Sequence, residues 1–269
     1  MKINVIGVPL NLGCDREGVE RAPNHLRERG LMRIIRKNGH RAFDLGNLYV
    51  PLVSEADKFA RGRSLKYLDA IVEVNNNLAE LVYDTLRGGA FPLVIGGDHS
   101  LGLGSASGVG KSFDDFGIIW LDAHGDINTS ETSPSGNIHG MPLSALMGMG
   151  SEELVNIYAP GNKVNPQNVF LVRTRSLDEG EQALIERDLA AMMALTLLTG
   201  CGGGKVTEHA IEKACGDYLR GQMGKPDMKV TYDVSPAVFE KIDADFRKNK
   251  ASWFNGSTGY LPGVARPRP

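Results

Sequence analysis

The sequence predicts an α/β fold with a mostly parallel sheet that carries helices on both faces. Short, continuously apolar segments of strand length recur along the chain, and a long amphipathic helix precedes the first of them. Strands covered on both faces read as continuous apolar runs, and parallel neighbours need a connection that is usually a helix. In such sheets a ligand site lies beyond the carboxyl ends of the strands.

The elements follow in chain order. Residues 3–8 are rich in β-branched side chains and form the first predicted strand. In residues 65–86 the apolar side chains recur at three- and four-residue steps, which predicts an amphipathic helix that Gly88 and Gly89 end. Short apolar runs predict three further strands, at residues 91–95, 117–121 and 169–172.

We expect the whole chain, residues 1–269, to form a single domain, because 269 residues with 42% hydrophobic content suit one large α/β domain. Two segments fit the alternation poorly. Residues 190–204 (AAMMALTLLTGCGGG) are small and aliphatic and have neither helical nor strand periodicity. Residues 236–269 also fit poorly, and their irregular tail ends in PGVARPRP.

Composition and charge argue against several classes of protein. The 30 basic and 32 acidic residues give a net charge of −2 and form no basic stripe for nucleic acid. The apolar runs are short and interrupted, so no membrane span is predicted. The first residues read as a strand rather than a signal peptide. Cys14, Cys201 and Cys215 form neither a zinc pattern nor a disulfide framework, which favours a reducing cytoplasm.

The strongest site signal is DAHGD at residues 122–126, directly after a predicted strand. Asp122, His124 and Asp126 alternate, and in extended backbone alternate side chains lie on one side. Two unpaired carboxylates beside a buried strand would be costly to desolvate, and a divalent cation removes that cost. The alternative is a solvated turn rich in Asp and Asn, but an apolar strand leads directly into the cluster.

A second polar pair follows the strand at residues 91–95. Gly96 and Gly97 let the chain turn sharply, which leaves Asp98 and His99 at the rim of the sheet. A helix cap with an incidental histidine is an equally good interpretation. Oxygen and imidazole donors without thiolate favour Mn²⁺ or Mg²⁺, with Zn²⁺ as a further option. More than four candidate ligands suggest two ions, roughly 3.5–4 Å apart, bridged by carboxylate and hydroxide.

Two further segments carry candidate functional groups. In SPSGNIHGMP, Ser135, Asn137 and His139 alternate within a Gly- and Pro-rich loop that either presents them to a ligand or is an ordinary surface loop. A histidine there is suited to exchanging protons near neutral pH. Asp178 and Glu181 follow the strand at 169–172, where they could equally be the acidic first turn of a helix.

Asp233 ends a β-rich run in MKVTYDVS and is placed like Asp122. With these segments, the chain resembles the ureohydrolase superfamily, and arginases most closely. The matching motifs are GGDHS, DAHGDIN, SGNIHGMP, RSLDEGE and TYDVS, together with the opening IGVPLNLGCDREGVERAPNHLRERGL. The match runs almost continuously to residue 181, and SGNIHGMP distinguishes arginases from agmatinases.

The resemblance implies a three-layer α/β/α fold around the parallel sheet and a binuclear manganese centre. It also implies hydrolysis of L-arginine to L-ornithine and urea by a metal-bridging hydroxide. The implied partner is the small-molecule substrate L-arginine, and binding to nucleic acid or to a membrane is not expected. A homo-oligomer, trimer or hexamer, is expected, working in cytoplasmic arginine metabolism such as the urea cycle.

Site roles also follow from the resemblance. The metal ligands would be His99, Asp122, His124, Asp126 and Asp233. Asp122 and Asp233 would bridge the two ions, Asp126 would also act at the catalytic centre, and His139 would be the proton shuttle. The amino-acid end of the substrate would meet a third set: Asn128, Ser135, Asn137, Asp178 and Glu181.

The sequence departs from the family towards its end. The last family motif is Asp-x-Asp, but here it reads Asp233-Val234-Ser235, and a neutral serine would weaken the second metal site. The family's guanidinium-binding glutamate and final strand have no counterpart, so we expect a fold incomplete at the C-terminal end. Residues 190–204 reflect either divergence or a reading-frame error. Two functional alternatives stay open: a non-catalytic, arginase-derived metal-binding protein, and another amidine hydrolase such as an agmatinase.

Overall fold

The computed structural model describes residues 1–60, 64–172 and 174–188, all within one compact unit of the chain. The predictions on residues 190–204, on Asp233 and Ser235, and on residues 236–269 lie outside the described residues. They stay predictions.

Three parallel strands form the first sheet: β1 (Lys2–Val8), β2 (Arg41–Asn47) and β3 (Phe91–Gly96), in the order β2-β1-β3. The central strand β1 is buried through its second half. Its pairing with β3 continues in register to the last residue of both strands. The carboxyl ends of β1 and β3 therefore meet at one edge, where the sequence places the GGDHS motif.

The second sheet pairs β4 (Ile118–Leu121) with β5 (Val169–Val172), again in parallel. The predicted α/β class with parallel strands is confirmed. The burial of β4 differs from the continuous burial that we expected. Trp120 is buried, but Ile119 and Leu121 are 70% and 66% exposed within the described part of the chain. The reason is that the described elements cover only one face of this strand.

In the described part of the chain, seven α-helices accompany the strands: α1 (Ala22–Glu28), α2 (Leu31–Lys37), α3 (Leu68–Arg87), α4 (Gly102–Ser112), α5 (Pro142–Leu146), α6 (Glu152–Val155) and α7 (Glu179–Asp188). The long helix α3 is the amphipathic helix predicted at 65–86. It begins at Leu68 because Tyr67 adopts a left-handed conformation, with φ of 52°. It ends before Gly88, and Gly89 has φ of 66°.

Helices α3 and α4 pack closely because α4 carries glycines where it meets α3. A Cβ at Gly104 would stand 2.5 Å from the Asn75 carbonyl oxygen of α3, and one at Gly108 would collide with the Ala79 carbonyl. The buried Asn75 side chain joins the two helices. Its Oδ1 accepts from the Gly104 amide at 2.7 Å, and its Nδ2 donates to the Ile71 carbonyl at 2.9 Å. These contacts therefore fix the position of α4, which begins three residues after His99, against α3.

The segment between β4 and α6 is anchored in the largest apolar cluster of the described residues. Ile127, Ile138, Met141, Leu143 and Leu146 are all essentially inaccessible and pack with α3 and β5. The polar motifs of this segment are thus carried on backbone that the core holds in place. Among the described residues, no helix is both long and apolar enough to cross a membrane.

Candidate metal centre and active site

The turn after β3 brings the first candidate ligand to the sheet edge. The Gly97 amide donates to the Val8 carbonyl at 3.1 Å, and the Asp98 amide donates to the Leu10 carbonyl at 2.8 Å. A Cβ at Gly97 would overlap the Leu10 carbonyl oxygen. Glycine is therefore needed here for close backbone approach rather than for unusual torsion angles. His99 then begins a short 3₁₀ helix, His99–Leu101.

The DAHGD segment after β4 forms a turn instead of continuing as extended chain. The His124 amide donates to Asp122 Oδ1 at 2.9 Å, and Asp126 has a left-handed φ of 52°. The Ala123 carbonyl accepts two amides from the segment after β5, and the Asp126 carbonyl accepts the Leu143 amide at 3.0 Å. These hydrogen bonds, and not the simple alternation that we inferred from sequence, set the directions of the side chains.

Three of the predicted ligands meet in one cluster. His99 Nδ1 lies 3.0 Å from Asp122 Oδ2 and 2.7 Å from Asp126 Oδ2. All three donor atoms fall within 4.8 Å of one another. The Asp126 side chain is only 5% exposed, whereas His99 is 37% exposed. The cluster thus has a buried floor and an open side.

His124 and Asp233 are the remaining predicted ligands. His124 Nδ1 lies 3.3 Å from Asp122 Oδ1, and its side chain is 64% exposed, outside the group of three donors. The two Asp122 oxygens therefore approach different histidines, His99 and His124. Asp233 lies outside the described residues, so its ligation stays a prediction.

The cluster fits a divalent cation. Asp126 Oδ2 is buried and has no hydrogen-bond partner among the described residues, although His99 Nδ1 is only 2.7 Å away. A divalent cation held by both atoms would satisfy this buried oxygen. Carboxylate and imidazole donors suit Mn²⁺, Mg²⁺ or Zn²⁺.

The indole of Trp120 supports His99. The two rings stack with centroids 4.2 Å apart and planes 19° from parallel. Burial lowers the pKa of His99, but the carboxylates of Asp126 and Asp122 outweigh it and raise this pKa above its usual value. A cation at Nδ1 competes with the proton that these carboxylates stabilise.

Asp98 has a different role from its neighbour. Its Oδ1 accepts the Ser100 amide at 2.9 Å, so that it caps the 3₁₀ helix that follows. The helix-cap interpretation of this pair therefore describes Asp98, while His99 joins the cluster.

The loop that carries Ser135, Asn137 and His139 packs against the chain after β1. The Asn137 side-chain amide donates to the Cys14 carbonyl at 3.3 Å, and His139 Nδ1 lies 2.9 Å from the Gly13 carbonyl oxygen. Ser135 is exposed, and its Oγ accepts the Asn137 amide at 3.2 Å. Asn137 Oδ1 is buried without a hydrogen-bond partner among the described residues, which leaves it able to accept from a ligand.

The last predicted set forms one hydrogen-bonded network. Asn128 Nδ2 donates to Asp178 Oδ2 at 2.6 Å, and Asn128 Oδ1 accepts from Thr132 Oγ1 at 2.8 Å. Asp178 and Glu181 exchange amide–carboxylate hydrogen bonds of 2.9 and 3.1 Å, the reciprocal pair that starts α7. The first-turn interpretation therefore applies to both. Burial raises the pKa of Glu181, which also accepts the Ile127 amide at 3.4 Å.

Three contributors were not found from the sequence. Trp120 stands two residues before Asp122, and an aromatic residue at that distance from a predicted ligand was the available signal. Gly13 and Cys14 act through backbone groups, which leave no signal in residue type.

Parallel strands flanked by helices, with a carboxylate–imidazole cluster after β3 and β4, define an α/β protein with a candidate metal site. A family model described as the arginase family matches residues 1–219. The arginase of Brevibacillus brevis is 43% identical over 209 residues, which cover 78% of this chain and 69% of that protein. The arginase of Bacillus subtilis (strain 168) is 40% identical over 217 residues, covering 81% and 70%.

The solved structures agree with the sequence relatives. The crystal structure of arginase from Bacillus subtilis superposes with a TM-score of 0.66 at 37% identity, covering 82% of this chain and 69% of that chain. The chain belongs to the arginase family, as the resemblance of its motifs indicated.

Proposed function

We propose that this chain is a metal-dependent hydrolase that uses water to cleave the guanidinium group of L-arginine, which gives L-ornithine and urea. The observation that carries the proposal is the convergence of His99, Asp122 and Asp126 beyond the carboxyl ends of β3 and β4. The family relationship and relatives named arginase at 40–43% identity support the same substrate.

The cofactor in this proposal is Mn²⁺, with two ions per chain. His99, Asp122 and Asp126 would hold one ion, and His124 with Asp122 would contribute to the other, with Asp233 bridging. When bound, a divalent cation supplies hydroxide at neutral pH by lowering the pKa of water. The carboxylate-rich donor set holds that charge in place, and Ser235 in place of an aspartate predicts weaker binding of the second ion.

His139 would serve as the proton shuttle. The Gly13 carbonyl can only accept a hydrogen bond, so Nδ1 carries the hydrogen of this 2.9 Å contact. The other ring nitrogen, Nε2, then carries the lone pair that takes up and returns a proton. Asp126 would also act at the reacting centre, beside the ion that its carboxylate would hold with His99 and Asp122.

The amino-acid end of the substrate would meet groups on the loop and the α7 network. Asn137 Oδ1 is available to accept a hydrogen bond, and Ser135 is exposed beside it. Asn128 also belongs to this set. Asp178 and Glu181 provide negative charge for an ammonium group. We further propose a cytoplasmic homo-oligomer, trimer or hexamer, that acts in arginine breakdown and, where present, the urea cycle.

A substrate panel tests this function. The Mn²⁺-loaded protein is incubated with L-arginine, agmatine and guanidino acids, and urea and ornithine are measured separately. We expect equal amounts of urea and ornithine from L-arginine and much slower release from the others. Faster cleavage of agmatine would favour the agmatinase alternative. Folded, metal-loaded protein without urea release from any compound would favour the non-catalytic alternative.

A further inference from the structure

Asp98 is a buried carboxylate at the end of β3 that takes no part in the metal cluster. We propose that it is a positioning residue for His139, acting through the Gly13–Cys14 peptide group. The inference rests on the proposed function for its catalytic consequence, but its structural part is independent of turnover.

The carboxylate of Asp98 has donors on both oxygens. Oδ2 accepts from the Gly13 amide at 2.9 Å and from the Cys14 amide at 3.3 Å. Oδ1 accepts from the Ser100 amide at 2.9 Å and from Ser100 Oγ at 2.5 Å. With four donors, both oxygens of this carboxylate are hydrogen-bonded, and half of the bonds come from the loop after β1.

The opposite side of the same loop holds the candidate shuttle. The Gly13 carbonyl accepts both the His139 amide at 3.1 Å and His139 Nδ1 at 2.9 Å. The Cys14 carbonyl accepts the Asn137 side chain at 3.3 Å. The loop therefore lies between Asp98 and the SGNIHGMP loop and is hydrogen-bonded to both.

One peptide group connects the two side chains directly. The carbonyl of Gly13 and the amide of Cys14 belong to the same peptide unit, which accepts from His139 at one end and donates to Asp98 at the other. A carboxylate at the amide end polarises the unit and strengthens its carbonyl as an acceptor. The result is a carboxylate–peptide–imidazole chain that keeps the hydrogen on Nδ1 and the lone pair on Nε2.

The packing around Gly13 supports this link. A Cβ at Gly13 would collide with Asp98 Oδ1 and stand 2.6 Å from Ser100 Oγ. Both atoms belong to buried, hydrogen-bonded side chains, so they cannot move aside cheaply. The backbone at Gly13 can approach Asp98 closely enough to donate only if residue 13 has no side chain.

The first test reads the tautomer of His139 by NMR. The full chain is labelled with ¹⁵N and loaded with Mg²⁺, which is diamagnetic, and the His139 signals are assigned with His139→Asn. We expect hydrogen on Nδ1 in the wild-type protein. Asp98→Asn replaces one accepting oxygen by an NH2 group, which can only donate and would face the groups that donate to Asp98. We therefore expect a mixture of His139 tautomers or the Nε2-protonated form. Gly13→Ala should act in the same direction from the other side of the link.

Ser100→Ala is the matched control. It removes one hydrogen bond from the same carboxylate but leaves the contacts with Gly13 and Cys14, so it should keep the wild-type tautomer. An unchanged His139 tautomer in folded Asp98→Asn protein would overturn the proposal. So would a change of equal size in Ser100→Ala.

The second test distinguishes an effect of Asp98 through His139 from an effect through His99, the candidate metal ligand next to it in the chain. In Asp98→Asn we expect kcat for urea release to fall by about 10- to 100-fold, less than the roughly 10²–10⁴-fold value of a complete acid–base group. KM and the number of bound metal ions should stay unchanged. In a His139→Asn background the same substitution should have little further effect, because residues in one chain of contacts are not additive.

Loss of bound metal, or a full additional fall in the His139→Asn background, would show that Asp98 acts through His99 and would contradict the proposal. If the wild-type protein releases no urea, the proposed function fails, yet the tautomer measurement still decides the role of Asp98.

Discussion

Replacing Asp126 by asparagine should remove most of the thermal stabilisation that Mn²⁺ gives this protein. A cation present at 100 times its Kd stabilises a folded protein by about 2.7 kcal/mol. For a chain of this size, each kcal/mol of stabilisation raises the midpoint temperature of unfolding by roughly 2–4 °C. Mn²⁺ should therefore raise the midpoint of the wild-type protein by about 5–10 °C.

The structure predicts a large loss in the variant. Asp126 is the most buried member of the cluster, and its Oδ2 has no other partner among the described residues. Loss of groups that merely orient a ligand weakens metal binding by about 10- to 100-fold, so loss of a charged ligand should cost at least about 100-fold. The same Mn²⁺ concentration then equals the new Kd, which leaves about 0.4 kcal/mol, or roughly 1 °C.

Calorimetry at fixed pH across a Mn²⁺ titration measures this shift. Asp114→Asn is the matched control because Asp114 is exposed and outside the cluster, and it should retain the full wild-type shift. A full shift in Asp126→Asn would refute the assignment, since the stabilising ion would then bind elsewhere.

Three further predictions concern packing, proton linkage and catalysis. Gly104→Ala should destabilise the fold by about 1–3 kcal/mol in urea denaturation, because the added Cβ would meet α3 backbone at 2.5 Å; unchanged stability would contradict the packing. Burial lowers the pKa of Lys163 to about 8. The folded state then binds fewer protons than the unfolded state from about pH 8 to 10.5, so wild-type stability should rise through this window relative to Lys163→Met, and a constant difference would contradict it. His139→Asn should lower kcat by roughly 10²–10⁴-fold with Mn²⁺ binding intact; turnover close to wild type would exclude the shuttle role.

The sequence predicted the strands that are largely apolar and missed the one that is not. Strands β3 and β5 are continuous apolar runs and β1 is mostly apolar, and their predicted bounds agree with the structure to within one residue. The strand β2 reads RAFDLGN, and of its residues only Ala42 is buried. It is a strand because β1 offers a pairing edge, which is information from outside its own segment.

The candidate metal ligands were predictable because residue type carries their chemistry. His99, Asp122 and Asp126 were named from carboxylates and imidazole beside predicted strands, and the structure brings them together. The reason for their convergence was wrong, since a turn with left-handed Asp126 replaces extended alternation. Contacts made through backbone, such as Gly13 with His139, could not be predicted because any residue has the same carbonyl group.

The most direct test of the central claim is urea release from L-arginine, measured as a function of Mn²⁺ ions bound per chain. Protein is stripped with chelator, reloaded stepwise, and assayed with metal content determined on the same samples. We predict no turnover in stripped protein and a rate that rises with occupancy until the cluster of His99, Asp122 and Asp126 is filled. Full occupancy without urea release, or the same release in stripped protein, would contradict the claim that this cluster is a metal-dependent arginine-hydrolysing centre.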